Sequence, residues 1–376
     1  CIRDSLEAER RRATPEEQRI LARWVGWGGL ASAFPNPETG KFKDGWEKRG
    51  NELRDLLTPS EYQAARRSTR NAHFTSETVV GFMWDAVRKL GYRGGLALES
   101  SMGSGNFLGL MPDDIGPTKF IGVESDSITA RLAAALYPQA TVLHSGFQSV
   151  PLPNDSFDLN IGNPPFGNES LRFQYKPELR GLSIHNQFFL AAMDALKPGG
   201  LQVQVVSNFL LDAQDSQARR MLADRADLVA AFRLPDTAFK ENARTEVVTD
   251  VLILRKREYR LSEMAEMARR EGDKPTEPSW PDWVSTGTAP DPLGGDPIPL
   301  NNYFIQNPDH IIGTLERSGK MRAAGMPNVR LEDPSTLGAR LQDMLGRLRP
   351  LGRLTETTAE RTERAHKLLS EAMGIA

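Results

Sequence analysis

The sequence predicts an α/β fold built on a seven-stranded, mostly parallel sheet with helices on both faces. Three observations lead there. Seven short apolar runs, at 95–99, 119–123, 141–144, 157–161, 200–206, 228–233 and 248–254, punctuate the middle of the chain. Helix-compatible segments at 105–110, 127–137, 185–196 and 215–225 lie between them. Such alternation calls for crossovers that put helices on the faces of parallel strands. The last two runs are separated only by Pro235 to Val247, with no helical pattern. That suits an antiparallel final strand inserted beside the others.

The remaining elements follow in order. Residues 1–70 read as a helical region. Thr14-Pro15-Glu16-Glu17 opens a helix with an N-cap, a proline at the first position and acids in the first turn. It is expected to run through Ile20, Leu21 and Trp24 and stop at Gly26-Trp27-Gly28-Gly29. Thr58-Pro59-Ser60-Glu61 starts another, carrying Tyr62, Ala65, Arg66 and Arg67. Residues 76–90 place Val79, Val80, Met83, Trp84 and Val87 on one helical face. Residues 71–257 read as the catalytic domain. Residues 258–376 read as an extension: a charged helix at 258–273, a linker or irregular wrap at 274–299, and amphipathic helices within 335–373.

Composition narrows the function. Hydrophobic residues make up 39% and charged residues 26%, the balance of an ordinary globular protein. Net charge is −2, so no global basic field draws in nucleic acid, and any such surface must be local. The one cysteine, Cys1, excludes an intrachain disulfide and a cysteine metal cluster. No apolar run reaches spanning length and no signal peptide is visible, so a cytoplasmic protein with no membrane partner is expected. A chain that begins with Cys reads as a piece of a longer parent.

The chemistry gathers at the expected C-terminal strand ends, where open α/β sheets bind ligands. After the first strand comes Glu99-Ser100-Ser101-Met102-Gly103-Ser104-Gly105-Asn106-Phe107. Its glycines let a ligand approach the backbone at a helix start. The third glycine of a dinucleotide fingerprint is missing, and no Gly-Lys-Ser/Thr of a phosphate loop follows. Glu99 suits a cationic group. Glu124, ending the second strand and followed by Ser125, can accept from ribose hydroxyls. A ribose with a cationic, amino-acid-like tail and no phosphate describes S-adenosylmethionine. After the fourth run comes Asn163-Pro164-Pro165-Phe166. Two prolines remove local N–H donors and hold the chain extended, leaving acceptors and an aromatic ring for a planar amine.

These two motifs together resemble the paired signature of N6-adenine DNA methyltransferases. Phe74-Thr75 resembles their upstream motif, and the order Phe74, Glu99, Asn163 resembles the gamma arrangement. Val25-Gly26-Trp27-Gly28-Gly29-Leu30, Leu57-Thr58-Pro59-Ser60-Glu61-Tyr62, Phe232-Arg233-Leu234-Pro235 and Asn302-Tyr303-Phe304 with Asn307-Pro308-Asp309 resemble the methylase region of large phage and plasmid methylase–helicase proteins. That likeness spans roughly residues 15–315. It implies a class I S-adenosylmethionine-dependent methyltransferase fold. It also implies DNA as partner, a helicase region or other domains in the parent chain, and a role in restriction–modification or anti-restriction.

The resemblance implies cofactor contacts from Phe74, Thr75, Glu99, Ser101, Gly103, Gly105, Asn106, Phe107, Glu124 and Ser125. It implies catalytic roles for Asn163, Pro164, Pro165 and Phe166. Two positions depart from the pattern. Ser100 stands where proline is common. Ser145-Gly146-Phe147-Gln148 stands where many relatives carry an Asp for the cofactor's adenine; Phe147 would stack there and Gln148 would supply the hydrogen bond. Arg66, Arg67 and Arg70 are candidates for phosphate contacts. His185 and Asn186 read either as walls of the target-base pocket or as a helix start with Phe188 and Phe189 in the core. Trp24 and Trp27 read as core anchors. Two other readings remain: a methyltransferase of this fold acting on RNA or protein, and a non-catalytic methylase-like module.

Overall fold

The computed structural model describes residues 2–69, 74–239, 248–270, 278–317 and 327–351. All seven apolar runs are strands of one sheet: β1 (Gly95–Glu99), β2 (Thr118–Glu124), β3 (Thr141–His144), β4 (Phe157–Gly162), β5 (Leu196–Ser207), β6 (Ala226–Leu234) and β7 (Thr249–Lys256). Their spatial order is β3-β2-β1-β4-β5-β7-β6. Strands β1 to β5 pair in parallel, and β7 runs antiparallel between β5 and β6. The chain leaves β1 toward one edge and resumes at β4 on the other side. That reversal opens a crevice beyond the C-terminal ends of β1 and β4. This is the class I S-adenosylmethionine-dependent methyltransferase fold.

The helices before the sheet are α1 (Ile2–Glu9), α2 (Pro15–Leu21), α3 (Glu47–Leu56) and α4 (Pro59–Ser68). Thr14 and Thr58 start α2 and α4 with reciprocal caps. Each hydroxyl accepts the amide of Glu17 or Glu61, and each glutamate accepts the threonine amide in return. Helix α2 stops at Leu21, three residues short of the expected Trp24. The amides of Arg23 and Trp24 bond three residues back, to Ile20 and Leu21. This tightening turns the two indoles off the helix and toward α7 (Ser127–Leu136). Leu6, Leu21, Trp27, Phe34, Tyr62 and Ala65 share a core with Ile128, Leu132 and Leu136 of α7. The N-terminal region is thereby packed onto the sheet's own helix layer.

One sheet face is covered by α5 (Glu77–Lys89), which buries Val79, Val80, Phe82, Met83, Trp84, Ala86 and Val87. Each large apolar side chain so buried contributes about 1.5–3 kcal/mol before entropy is counted. The Trp84 indole also donates to the Phe107 carbonyl at 2.8 Å, fixing α5 against α6 (Asn106–Gly109). The opposite face is covered by α8 (Ile184–Ala195), α9 (Phe209–Asp212) and α10 (Gln217–Arg225). Strand β5 begins at Leu196, four residues before the apolar run. The chain leaving α8 already pairs Leu196 with Phe157 and then crosses a register shift.

The C-terminal segment differs from the expected linker. After α11 (Leu261–Arg270), Thr286–Ala289 (β8) pairs antiparallel with Ile298–Asn301 (β9). The Pro- and Gly-rich stretch between them is a hairpin loop. Composition marked the turn and concealed the two short strands flanking it. Trp283, Leu300 and Phe304 of α12 (Asn302–Gln306) enter the core beside α8, β5 and β7. Thr314–Arg317 (β10) pairs antiparallel with Pro327–Arg330 (β11), and α13 (Leu337–Arg347) packs its Leu341, Met344 and Leu345 with the α5 face. Side chains from both sides of the expected 257/258 boundary pack in the same two cores. Arg70, most of the Pro235–Val247 connection and the helical pattern beyond residue 351 lie outside the described residues. No helix among the described residues is long and apolar enough to cross a membrane.

Candidate active site

A cavity of about 970 Å³ lies at the β1/β4 switch point. Strand ends, the glycine turn and the N-terminal helices all supply walls. Phe74, Thr75, Glu99, Ser101, Gly103, Asn106, Phe107, Glu124, Ser125, Phe147, Gln148, Asn163 and Pro165 line it, as do Arg66 and Arg67. Gly105, Pro164, Phe166, His185 and Asn186 are absent from its walls.

The turn after β1 is held on three sides. The Met102 amide donates to the Val123 carbonyl at 2.8 Å, and the Gly103 amide donates to Glu124 Oε2 at 2.9 Å. Ser101 Oγ donates to the Asn163 carbonyl at 3.0 Å, joining the two sequence motifs directly. Gly103 has φ +56°, and a Cβ there would stand 2.9 Å from the Phe74 ring. The glycine thus lets Phe74 close over the turn. Gly105, at φ +86°, faces the Tyr137 ring instead of the cavity. Its contribution is backbone shape.

Three carboxylates crowd this end. Glu99 is only 2% exposed, and its Oε2 has no hydrogen-bond partner among the described residues. Burial, and secondarily the charge of Glu124, hold its pKa well above the ordinary carboxylate range. A cationic ligand group would relieve both penalties. Burial also raises the pKa of Glu124, opposed by the amides of Asp126 and Gly103. The Asp126 amide donates to Glu124 Oε1 at 2.7 Å. One amide therefore grips each Glu124 oxygen, orienting a carboxylate that still has lone pairs for a diol.

Asp126 in turn caps α7. Its Oδ2 accepts the Thr129 amide at 2.9 Å, and it also accepts the Trp27 indole N–H at 3.1 Å. Trp27 lines the cavity beside Phe34, Pro35 and Asn36. These N-terminal wall residues escape a strand-by-strand reading of the sequence, because Trp27 lies 99 positions from its partner. The available signals were weak: an aspartate placed to cap α7, and an indole next to a Gly-Gly turn.

Phe147 is buried with Phe188, ring centroids 4.9 Å apart, and shows the cavity only part of its surface. Phe166 meets His185 edge-to-face, centroids 5.2 Å apart. His185 is buried on the first turn of α8, and burial lowers its pKa to about 4. Ser183 Oγ accepts the Asn186 amide at 3.4 Å as the α8 cap. His185 and Asn186 thus stand on the first turn of α8, with Phe188 and Phe189 buried beyond them. Arg66 and Arg67 sit on the last turn of α4 at the cavity wall, and Arg66 also reaches the Pro35 carbonyl at 3.5 Å.

No protein-family model matches the chain. Defense against restriction protein B of Escherichia phage P1 is 28% identical over 239 residues, covering 62% of this chain and 10% of that protein. The chain thus spans about a tenth of that relative's length. Among solved structures, a Listeria monocytogenes protein provisionally assigned as a class I S-adenosylmethionine-dependent methyltransferase is 18% identical. It covers 62% of this chain and 80% of that one, with a TM-score of 0.44. The methyltransferase subunit of a type I restriction–modification system from Streptococcus thermophilus is 17% identical. It covers 55% and 52% of the two chains, also with a TM-score of 0.44. Strand order and direction, β3-β2-β1-β4-β5-β7-β6 with β7 antiparallel, define the fold.

Proposed function

We propose that this chain is an S-adenosylmethionine-dependent methyltransferase acting on the N6 amine of adenine in DNA. The observation that carries the reading is the convergence of Asn163 with Glu99 and Glu124 on one cavity, through the Ser101–Asn163 link. At 970 Å³ the cavity is at the upper end of what small-ligand sites occupy, leaving space for a cofactor and an extruded base. Glu124 would hold the cofactor's ribose and Glu99 its ammonium group. Thr75, whose buried hydroxyl has no partner among the described residues, and Phe74 would close the same end. Bound there, S-adenosylmethionine supplies an electrophilic methyl group. Replacing Glu124 with alanine should weaken its binding by about 1.5–3 kcal/mol, the scale of hydrogen bonds to a charged group. Calorimetric titration measures this, and unchanged affinity would move the ribose elsewhere.

The chain's part in the chemistry is positioning. The amine of adenine is a weak nucleophile because its lone pair is delocalised into the ring. Hydrogen bonds from its two N–H groups to the Asn163 side chain and the Pro164 carbonyl favour a more pyramidal, more nucleophilic nitrogen. The ring of Phe166 would stack on the base. Pro164 and Phe166 are not among the cavity walls, so Asn163 carries most of this proposal. No base is required, since the methylated ammonium is acidic enough to lose its proton to water. The rate then comes from orientation and fixed dipoles. The phage relative's name, defense against restriction, accords with a DNA substrate.

DNA is a polyanion and the chain is not basic overall, so phosphate contacts must be local. Arg66 and Arg67 are the candidates at the cavity wall. Replacing both with alanine should weaken DNA binding and flatten its salt dependence by about two units of slope, one per lost contact. Affinity for S-adenosylmethionine should not move. Binding measured across a salt series checks this, and an unaltered slope would put the DNA on another surface.

A further inference from the structure

We infer that Trp27 is a positioning residue for the cofactor, acting through Asp126 on Glu124. The inference rests on the reading of the cavity given above. Three bonds form a relay. The Trp27 indole donates to Asp126 Oδ2 at 3.1 Å, the Asp126 amide donates to Glu124 Oε1 at 2.7 Å, and the Gly103 amide holds Glu124 Oε2 at 2.9 Å. Asp126 is 2% exposed and Trp27 is 4% exposed, so neither end of the first bond is exchanged readily for water. Trp27 is itself fixed by its neighbours. Its ring lies edge-on to Trp24 at 4.7 Å and to Phe34 at 6.0 Å. The cavity's acidic end is therefore completed by a side chain from the N-terminal helical region, the region that also carries Arg66 and Arg67. Docking of that region and orientation of the ribose-binding carboxylate become one event. Any ligand that favours one must favour the other to the same extent.

A neighbouring indole provides the control. Trp24 lies in the same aromatic cluster but does not line the cavity, and it stands one bond further out: its N–H donates to Thr129 Oγ1 at 3.2 Å, and that hydroxyl donates to Asp126 Oδ2 at 2.5 Å. Trp27→Phe and Trp24→Phe each keep an aromatic ring and delete one indole donor. The test is calorimetric titration of S-adenosylmethionine into the full chain and both variants, with thermal melting and indole emission of each. Trp27→Phe should bind about tenfold more weakly. Trp24→Phe should stay within about twofold while losing a similar amount of melting temperature. The emission change on binding should vanish in Trp27→Phe and persist in Trp24→Phe. Should Trp27→Phe fail to fold, Asp126→Asn takes its place. It keeps the helix cap and the backbone link but weakens the acceptor, and should cost about threefold in affinity.

Unchanged affinity in Trp27→Phe, or in Asp126→Asn where that variant stands in, overturns the relay. Equal losses in the two tryptophan variants overturn it as well, because they would trace the effect to general loosening of the helical region. Wild-type protein that binds no S-adenosylmethionine removes the cofactor reading itself, and the relay with it. That failure differs from a relay that fails in a protein that binds.

Discussion

Replacing Asn163 with alanine will abolish methyl transfer to DNA and leave S-adenosylmethionine binding nearly intact. The separation of the two effects follows from geometry. Asn163 touches the glycine turn through its backbone carbonyl, which accepts from Ser101 Oγ, and alanine keeps that carbonyl. Pro164 follows, so the backbone at position 163 stays restricted to extended geometry in the variant. What disappears is the side-chain amide that would hold the target amine and aim its lone pair. Such a contact is used in the transition state and not in cofactor binding, so kcat should fall while cofactor affinity is unmoved. Single-turnover transfer to DNA, paired with calorimetry, measures both. Retention of more than about a tenth of the wild-type rate, a loss under about 1.4 kcal/mol, would contradict the assigned role.

The second large effect concerns stability. Arg233, fully buried on β6, pairs with Asp250 of β7 through Nε at 2.8 Å and with Asp212 of α9 through Nη1 at 2.8 Å. Its guanidinium also lies 4.3 Å from the centroid of the Phe304 ring. Asp212 accepts the Asn301 amide at 3.0 Å, so the same charges secure β9 and α12 to the sheet. Arg233→Met keeps the bulk of the side chain and leaves two buried carboxylates without their cation. Losing one partner of such a group typically costs about 3–5 kcal/mol.

The effect should depend on pH. Burial raises the Asp250 pKa to about 6 from its ordinary 3.8, opposed by Arg233. A carboxylate raised on folding destabilises the native state as pH climbs from its unfolded pKa through its folded one, and is harmless below both. Without Arg233 that penalty is unopposed. The deficit of Arg233→Met relative to wild type should therefore shrink as pH falls toward about 6 and level off below it, where Asp250 is protonated in both folded proteins. Denaturant unfolding of both proteins at several pH values tests this. A deficit under about 1 kcal/mol at neutral pH, or one that grows in acid, would show that the cluster does not hold the C-terminal segment.

Much of the sheet is legible in the sequence, for a physical reason. Strands buried on both faces read as nearly continuous apolar runs, and all six residues of β4 are buried, its Asp158 and Asn160 being paired with Lys197 and Gln202. The turns that follow β1 and β4 are equally legible, because Gly103 and the Pro164–Pro165 pair restrict the backbone in ways few other residues can. What stays hidden depends on long-range packing. Nothing local to Trp27 announces Asp126, and nothing in Phe232-Arg233-Leu234-Pro235 separates a buried ion cluster from a charged strand end. Phe166 follows the prolines as a stacking ring should, yet its partner in the structure is His185. The hairpin of β8 and β9 is masked by the proline and glycine of its own loop.

The most direct test is to incubate the chain with duplex DNA and S-adenosylmethionine, then analyse the nucleosides of the digested DNA by mass spectrometry. The proposed activity yields N6-methyldeoxyadenosine with the wild-type protein and none with Asn163→Ala. Methyl groups on cytosine, methyl groups in RNA or protein but not DNA, or no transfer by a protein that binds the cofactor would each contradict it.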